Sequence, residues 1–160
     1  MITLIDTKLL DALSAEARAS SRRRKNHNFH RSDEDSSHRL LNAIEPGSYV
    51  APHRHLDPDK DETMIVLRGR LGLVTFDDEG KIVDILTLGS GASRIGVDIA
   101  HGTWHSVFAL DRGCVFLEAK GGPYRPLTAA ERAPWAPAEG APAAGRYLED
   151  LRMQLERQQA

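Results

Sequence analysis

The sequence predicts an all-β fold, a jelly roll or small barrel, with one helix before it and one after it. Three observations support this. Between residues 39 and 119, eight short runs rich in Val, Ile, Leu and Phe follow one another: 39–44, 49–53, 63–67, 71–76, 82–88, 93–99, 105–109 and 114–119. Turn residues separate them, among them Glu45-Pro46-Gly47, Gly89-Ser90-Gly91 and Asp111-Arg112-Gly113. No helical periodicity alternates with the runs, which disfavours an α/β fold. A closed arrangement of so many short strands also protects the sheet edges.

Residues 6–20 form the first predicted helix, with Asp6 or Thr7 as its cap and Leu9, Leu10, Leu13 and Ala17 as one apolar stripe. Next come Arg22, Arg23, Arg24 and Lys25, then Asn26, His27, Asn28 and His30, and then Asp33, Glu34 and Asp35. This stretch is either a solvated arm or a first strand laid across the barrel mouth. Five of the eight prolines lie between residues 123 and 142, which predicts an extended strap with one helical turn at 128–131. Residues 146–158 are the second helix, with Tyr147, Leu148, Leu151 and Leu155 on one face. The chain is thus divided into 1–38 (helix and basic arm), 39–122 (barrel) and 123–160 (strap and helix), within one structural domain. The second helix docks on its own barrel or on a second copy, and a homodimer is the expectation.

Chemistry concentrates in the middle of the chain. His53 and His55 are two apart, so on an extended segment both imidazoles face the same side. A loop of Asp, Pro and Lys follows, and Glu62 opens the next strand. His105 begins a later strand after the His101-Gly102 turn. Three imidazoles and a carboxylate carried by three strand segments are ligands that a borderline divalent metal prefers, whether Zn, Fe, Ni, Mn or Co. One such ion per chain is expected, with occupancy falling as pH drops through the region around 6.

Gly47, His53, His55, Glu62 and Gly69 in order resemble the first cupin motif, and Gly102-Thr103-Trp104-His105 the core of the second. The resemblance implies a cupin double-stranded β-helix with a metal held by His53, His55, Glu62 and His105. This chain departs from the pattern in its six-residue spacer before Glu62 and in Ala100 and Ala109. Segments 24–30, 38–49, 53–69, 102–105 and 133–137 together resemble the WbuC-type cupin metalloproteins, small bacterial proteins often encoded among genes for O-antigen and other surface polysaccharides. That family brings no settled activity with it.

Composition narrows the partners. A net charge of −2 gives no reason to expect nucleic acid or an anionic membrane, and no apolar run is long enough to span a bilayer. The first residues lack the pattern of a signal peptide, so a cytoplasmic protein is expected. Cys114 is the one cysteine and sits in a late strand, where a buried inert thiol is expected. Trp104 faces away from His105 and is expected to pack in the core or at the rim.

Two functions compete. In the first, the chain is a metal-dependent enzyme acting on a small anionic, sugar-derived or other polar metabolite. His27 or His30 would be the acid/base, Arg24 or Lys25 the charge clamp, and Asn26 and Asn28 further ligand-binding groups. In the second, the same barrel binds a small molecule without turning it over. A metal-free sugar-nucleotide isomerase or epimerase is a weaker third. Binding that favours anionic sugars and weakens with salt is the expected signature of the basic arm.

Overall fold

Asp6 accepts the N–H of Leu9 at 2.9 Å and starts α1 (Thr7–Ala19), so the cap lies where the sequence puts it. The computed structural model describes residues 2–159. After α1 come β1 (Arg24–Asn28), β2 (Ser37–Ile44), β3 (Glu62–Arg68), β4 (Arg70–Phe76), β5 (Ile82–Gly89), β6 (Gly96–Ile99), β7 (Trp104–Ala109), β8 (Cys114–Gly121) and α2 (Ala144–Gln159). One sheet has the order β1-β2-β8-β3-β6 and the other β5-β4-β7, with antiparallel pairing throughout. The fold is the cupin jelly roll, with one helix N-terminal and one C-terminal to it.

Three apolar clusters explain the layering. Ile44, Met64, Leu71, Leu73, Val107 and Phe116 alternate inward from both sheets and form the core between them. On the outer face of the five-stranded sheet, Leu10, Leu13 and Ala17 of α1 pack on Leu41, Ala43 and Val115. Outside the three-stranded sheet, Leu148, Leu151 and Leu155 of α2 pack on Val74, Phe76, Ile85 and Phe108. The apolar stripe of the last helix, which pointed to a second copy, is therefore buried against this chain's own barrel. All six residues of β7 are buried, because one face of that strand lines the barrel and the other lies under α2 and the strap.

The structure decides one open alternative and changes one expectation. Residues 24–28 are a regular edge strand, paired with β2 from Arg24↔Ile44 to Asn28↔Leu40, so the basic arm is part of the barrel sheet. Residues 49–53 do not form a ladder strand. Pro52 has no N–H to donate, and only His53 bridges, to His105 on one side and Arg132 on the other. The segment is extended but held at single points.

Gly72 shows how closely the outer layer is packed. It lies opposite Phe108, and a Cβ at Gly72 would stand 2.5 Å from the Phe108 ring. Gly72→Ala is expected to cost about 1–3 kcal/mol through overpacking. Urea denaturation against the parent checks this, and equal stability would mean that the ring repacks freely.

Candidate metal centre and ligand cavity

His53 and His105 exchange backbone hydrogen bonds, His53 N–H to the His105 carbonyl at 3.0 Å and His105 N–H to the His53 carbonyl at 2.9 Å. Two ligands far apart in sequence are thereby fixed side by side. His55 is held by the strap. The Arg54 N–H donates to the Glu131 carbonyl at 3.1 Å, and the Leu56 N–H to Glu131 Oε1 at 3.0 Å. Glu131 belongs to a capping box with Thr128 at the predicted helical turn, here a 3-10 turn over Ala129–Glu131. Glu62 opens β3 and faces inward with Met64, as the strand alternation requires.

The four side chains converge. One ligand atom from each of His53, His55, Glu62 and His105 lies within 4.8 Å of the others. His53 Nδ1 lies 3.1 Å from the Ala51 carbonyl, and His105 Nδ1 lies 2.9 Å from the Thr103 carbonyl. A carbonyl only accepts, so each Nδ1 carries the proton and each Nε2 turns a lone pair toward the cluster. His55 Nε2, His105 Nε2 and Glu62 Oε2 are buried without a hydrogen-bond partner, although Glu62 Oε2 stands 3.0 Å from His105 Nε2. Unpartnered acceptors facing one another underground are costly unless a cation lies among them. The donor set therefore fits a divalent metal.

Protonation agrees with that fit. Burial, reinforced by neighbouring His105, pushes the His53 pKa down to about 3, so this ring is neutral near pH 7, as a ligand must be. His53 consequently does not titrate around pH 6. Burial pushes the Glu62 carboxyl up, against the pull of the Lys120 ammonium at its Oε1, and the net direction is down, well below the usual carboxylate range.

A cavity of about 530 Å³ opens beside the cluster, lined on one side by His53, Glu62 and His105. The wall next to Glu62, built from β8 and β2, is polar. Lys120 Nζ donates to Glu62 Oε1 and to Glu118 Oε1, each at 2.7 Å, and Asn42 Nδ2 donates to Glu118 Oε2 at 2.7 Å. Burial and the Glu62 charge raise the Glu118 pKa against the pull of Lys120. The sequence reading missed Glu118, Lys120 and Asn42. Their signal was parity: Glu118 and Lys120 continue the inward positions of Cys114 and Phe116 on β8, where two charges break an apolar series.

The residues expected from the basic arm divide by strand alternation. Arg24 and Asn26 line the cavity. Asn28 lies off the lining, and its Oδ1 accepts from Asn26 Nδ2 at 2.8 Å, which orients that amide. Lys25 touches the wall but turns its ammonium to Glu16 of α1, 3.7 Å away. His27 points to the α1 side, edge-on to Phe29 with ring centroids 5.1 Å apart. His30 is buried and stacked on His38 at 4.0 Å, with Nδ1 3.2 Å from the Arg39 carbonyl. Neither His27 nor His30 lines the cavity, so the structure does not bring the expected acid/base pair to the cluster. For His27 the cause is period two, since with Arg24 and Asn26 inward it must face outward, whereas His30 lies past the end of β1 and is taken up by His38.

Trp104 faces away from the cluster, its Nε1 donating to Asp78 at 2.9 Å and its ring under the Arg54 guanidinium at 4.2 Å. Cys114 is buried and its thiol is pushed up to about 12 by that burial, so it is inert at neutral pH.

A jelly roll with a His-His-Glu-His cluster beside a cavity defines a cupin with a site competent for metal. The chain belongs to the family described as the domain of unknown function DUF6016, whose model matches residues 5–88. That match includes His53, His55 and Glu62 and stops before His105. No curated protein matches the sequence. KdgF from Halomonas sp. has a similar structure, with 16% identity, 64% of this chain and 82% of that chain covered, and a TM-score of 0.50. The conserved protein SPY1581 of Streptococcus pyogenes, of unknown function, is 9% identical, with 78% and 91% covered and a TM-score of 0.52. At these identities the likeness shows the fold alone. No helix among the described residues is long and apolar enough to cross a membrane.

Proposed function

We propose that this cupin holds one divalent ion at His53, His55, Glu62 and His105 and uses it to bind, and act on, a small anionic polar metabolite. The carrying observation is the set of buried, unpartnered His55 Nε2, His105 Nε2 and Glu62 Oε2 atoms aimed at one point beside a cavity. A bound ion would supply Lewis acidity at an open coordination position. The chain's own groups do the rest. Asn26 and Asn42 offer amides to ligand hydroxyls, Arg24 offers positive charge, and the Glu118–Lys120 pair fixes Glu62 on the cluster. Val50, Met64, Val107 and Phe116 line the same cavity and limit water.

Among cupins, the ordered matches at 24–30, 38–49, 53–69, 102–105 and 133–137 favour the WbuC type. A sugar-derived substrate in surface-polysaccharide metabolism follows from that assignment.

Two measurements test this. Elemental analysis of protein purified without added metal or affinity tag is expected to find about one divalent ion per chain. Glucuronate and glucose 6-phosphate are expected to bind more tightly than glucose, with the preference shrinking as salt rises. Protein that carries no metal and takes up none would overturn the proposal, and equal binding of neutral and anionic sugars would remove its ligand class.

A further inference from the structure

At the rim of the cavity two guanidinium groups converge on one carboxylate. Arg22 Nε and Nη2 donate to Glu139 Oε1 and Oε2 at 2.6 and 2.8 Å, and Arg24 Nη2 donates to Glu139 Oε2 at 2.6 Å. Arg24 is preset for this. Its Nη1 donates to Ser48 Oγ at 3.2 Å and to the Tyr49 carbonyl at 3.0 Å, and its side chain is 19% exposed. Glu139 comes from the strap on the other bank. Below the clamp, a second hollow of about 380 Å³ lies between the strap and residues 50–53, walled by Pro52, Leu127, Ala133 and Pro137. The two hollows share Arg22, Arg24, Val50, His53 and Tyr124, so the clamp sits where they meet.

We propose that Arg22 and Arg24 are the oxyanion-binding subsite for the ligand's carboxylate or phosphate, and that Glu139 occupies that subsite in the ligand-free chain. This rests on the barrel being a small-molecule site. Paired guanidinium forks match the planar oxygens of a carboxylate or phosphate, and a second anion cannot join them while Glu139 is seated. The Arg22 and Arg24 charges hold the Glu139 carboxyl at about 2, so it is ionised at neutral pH and competes as an anion.

Displacement is feasible without moving the fold. Glu139 is 37% exposed and Arg22 61% exposed, and a bridge so open to water is individually weak. The neighbouring backbone has room, since nothing lies within 4 Å of a Cβ position at Gly140. Tyr49 Oη donates to the Pro137 carbonyl at 2.8 Å, which keeps the strap docked while the Glu139 side chain swings out. A ligand spanning both hollows would place its anion at Arg22 and Arg24, its metal-facing end beside His53, and an apolar or flat portion against Pro52 and Leu127.

The test titrates inorganic phosphate by calorimetry into the parent, Glu139→Gln, Arg22→Ala and Arg22→Ala/Arg24→Ala, with metal content measured on each preparation. If Glu139 fills the subsite about nine-tenths of the time, removing its charge raises phosphate affinity about tenfold. The arginine variants are expected to lose most of the binding and to keep the parent's metal content. Should the double variant fail to fold, because Arg24 also holds Ser48 and Tyr49, Arg22→Ala alone decides, since its side chain meets only Glu139 among the hydrogen bonds. A Glu139→Gln chain that binds phosphate no more tightly than the parent overturns the inference and leaves Glu139 a fastener of the strap. So does phosphate binding that ignores Arg22, which marks phosphate held at the metal alone. In either case a retained metal and a retained preference for anionic sugars would leave the proposed function standing.

Discussion

Replacing His55 by Ala is expected to lower divalent-metal affinity by at least about 100-fold, beyond what loss of an outer-shell partner costs, while the barrel stays folded. His55 is the most informative of the three imidazoles. Its side chain is 12% exposed and is not in the apolar core, whereas His105 is 2% exposed and its loss would also leave a cavity. The backbone pairing of His53 with His105 does not depend on either imidazole, so the corresponding Ala variants should lose metal as well. The measurement is metal titration followed by thermal unfolding. Metal at 100 times its dissociation constant should stabilise the parent by about 2.7 kcal/mol and the His55→Ala chain hardly at all. Equal stabilisation of both would place the ion elsewhere.

Lys120→Met should be the most destabilising single change on the cavity wall. Lys120 bridges Glu62 and Glu118, whose side chains are 3% and 10% exposed. Burial pushes the Lys120 pKa down, but the two carboxylates reverse this and leave it raised, so the ammonium stays charged. Methionine keeps the length and removes the charge, leaving two carboxylates facing each other in a poorly hydrated space. Breaking a buried ion pair from one side costs about 3–5 kcal/mol. With Lys120 one-fifth exposed, the lower end is expected, about 3 kcal/mol, by urea denaturation without metal. A loss below about 1 kcal/mol would mean that water already screens the triad.

How much of this was legible in the sequence depends on the range of the interaction that places each residue. The cap at Asp6, the stripe Leu10-Leu13-Ala17 and the alternation Glu62-Met64 are local, and the structure follows them. The cluster of His53, His55, Glu62 and His105 could be read because spacing and strand parity alone aim those side chains. Residues 49–53 were misread as a strand because apolar content outweighed the missing donor at Pro52. His27 was misplaced because the parity of β1 follows from its register with β2, which no local pattern in 22–30 encodes, and His30 because it lies past the end of β1 and stacks on His38. Glu139 lies over a hundred residues from Arg22, and nothing near it in the chain signals that contact.

The His53 bridge has a consequence for the order of folding. Its backbone joins β7 on one side and the strap at Arg132 on the other. Closing those contacts means ordering most of the chain between residues 53 and 132, and loops that long close late relative to hairpins such as β4–β5. The four ligands are therefore expected to meet only near the end of folding, after the local hairpins. Metal binding would then act chiefly by slowing the escape from the finished fold rather than by hastening its formation.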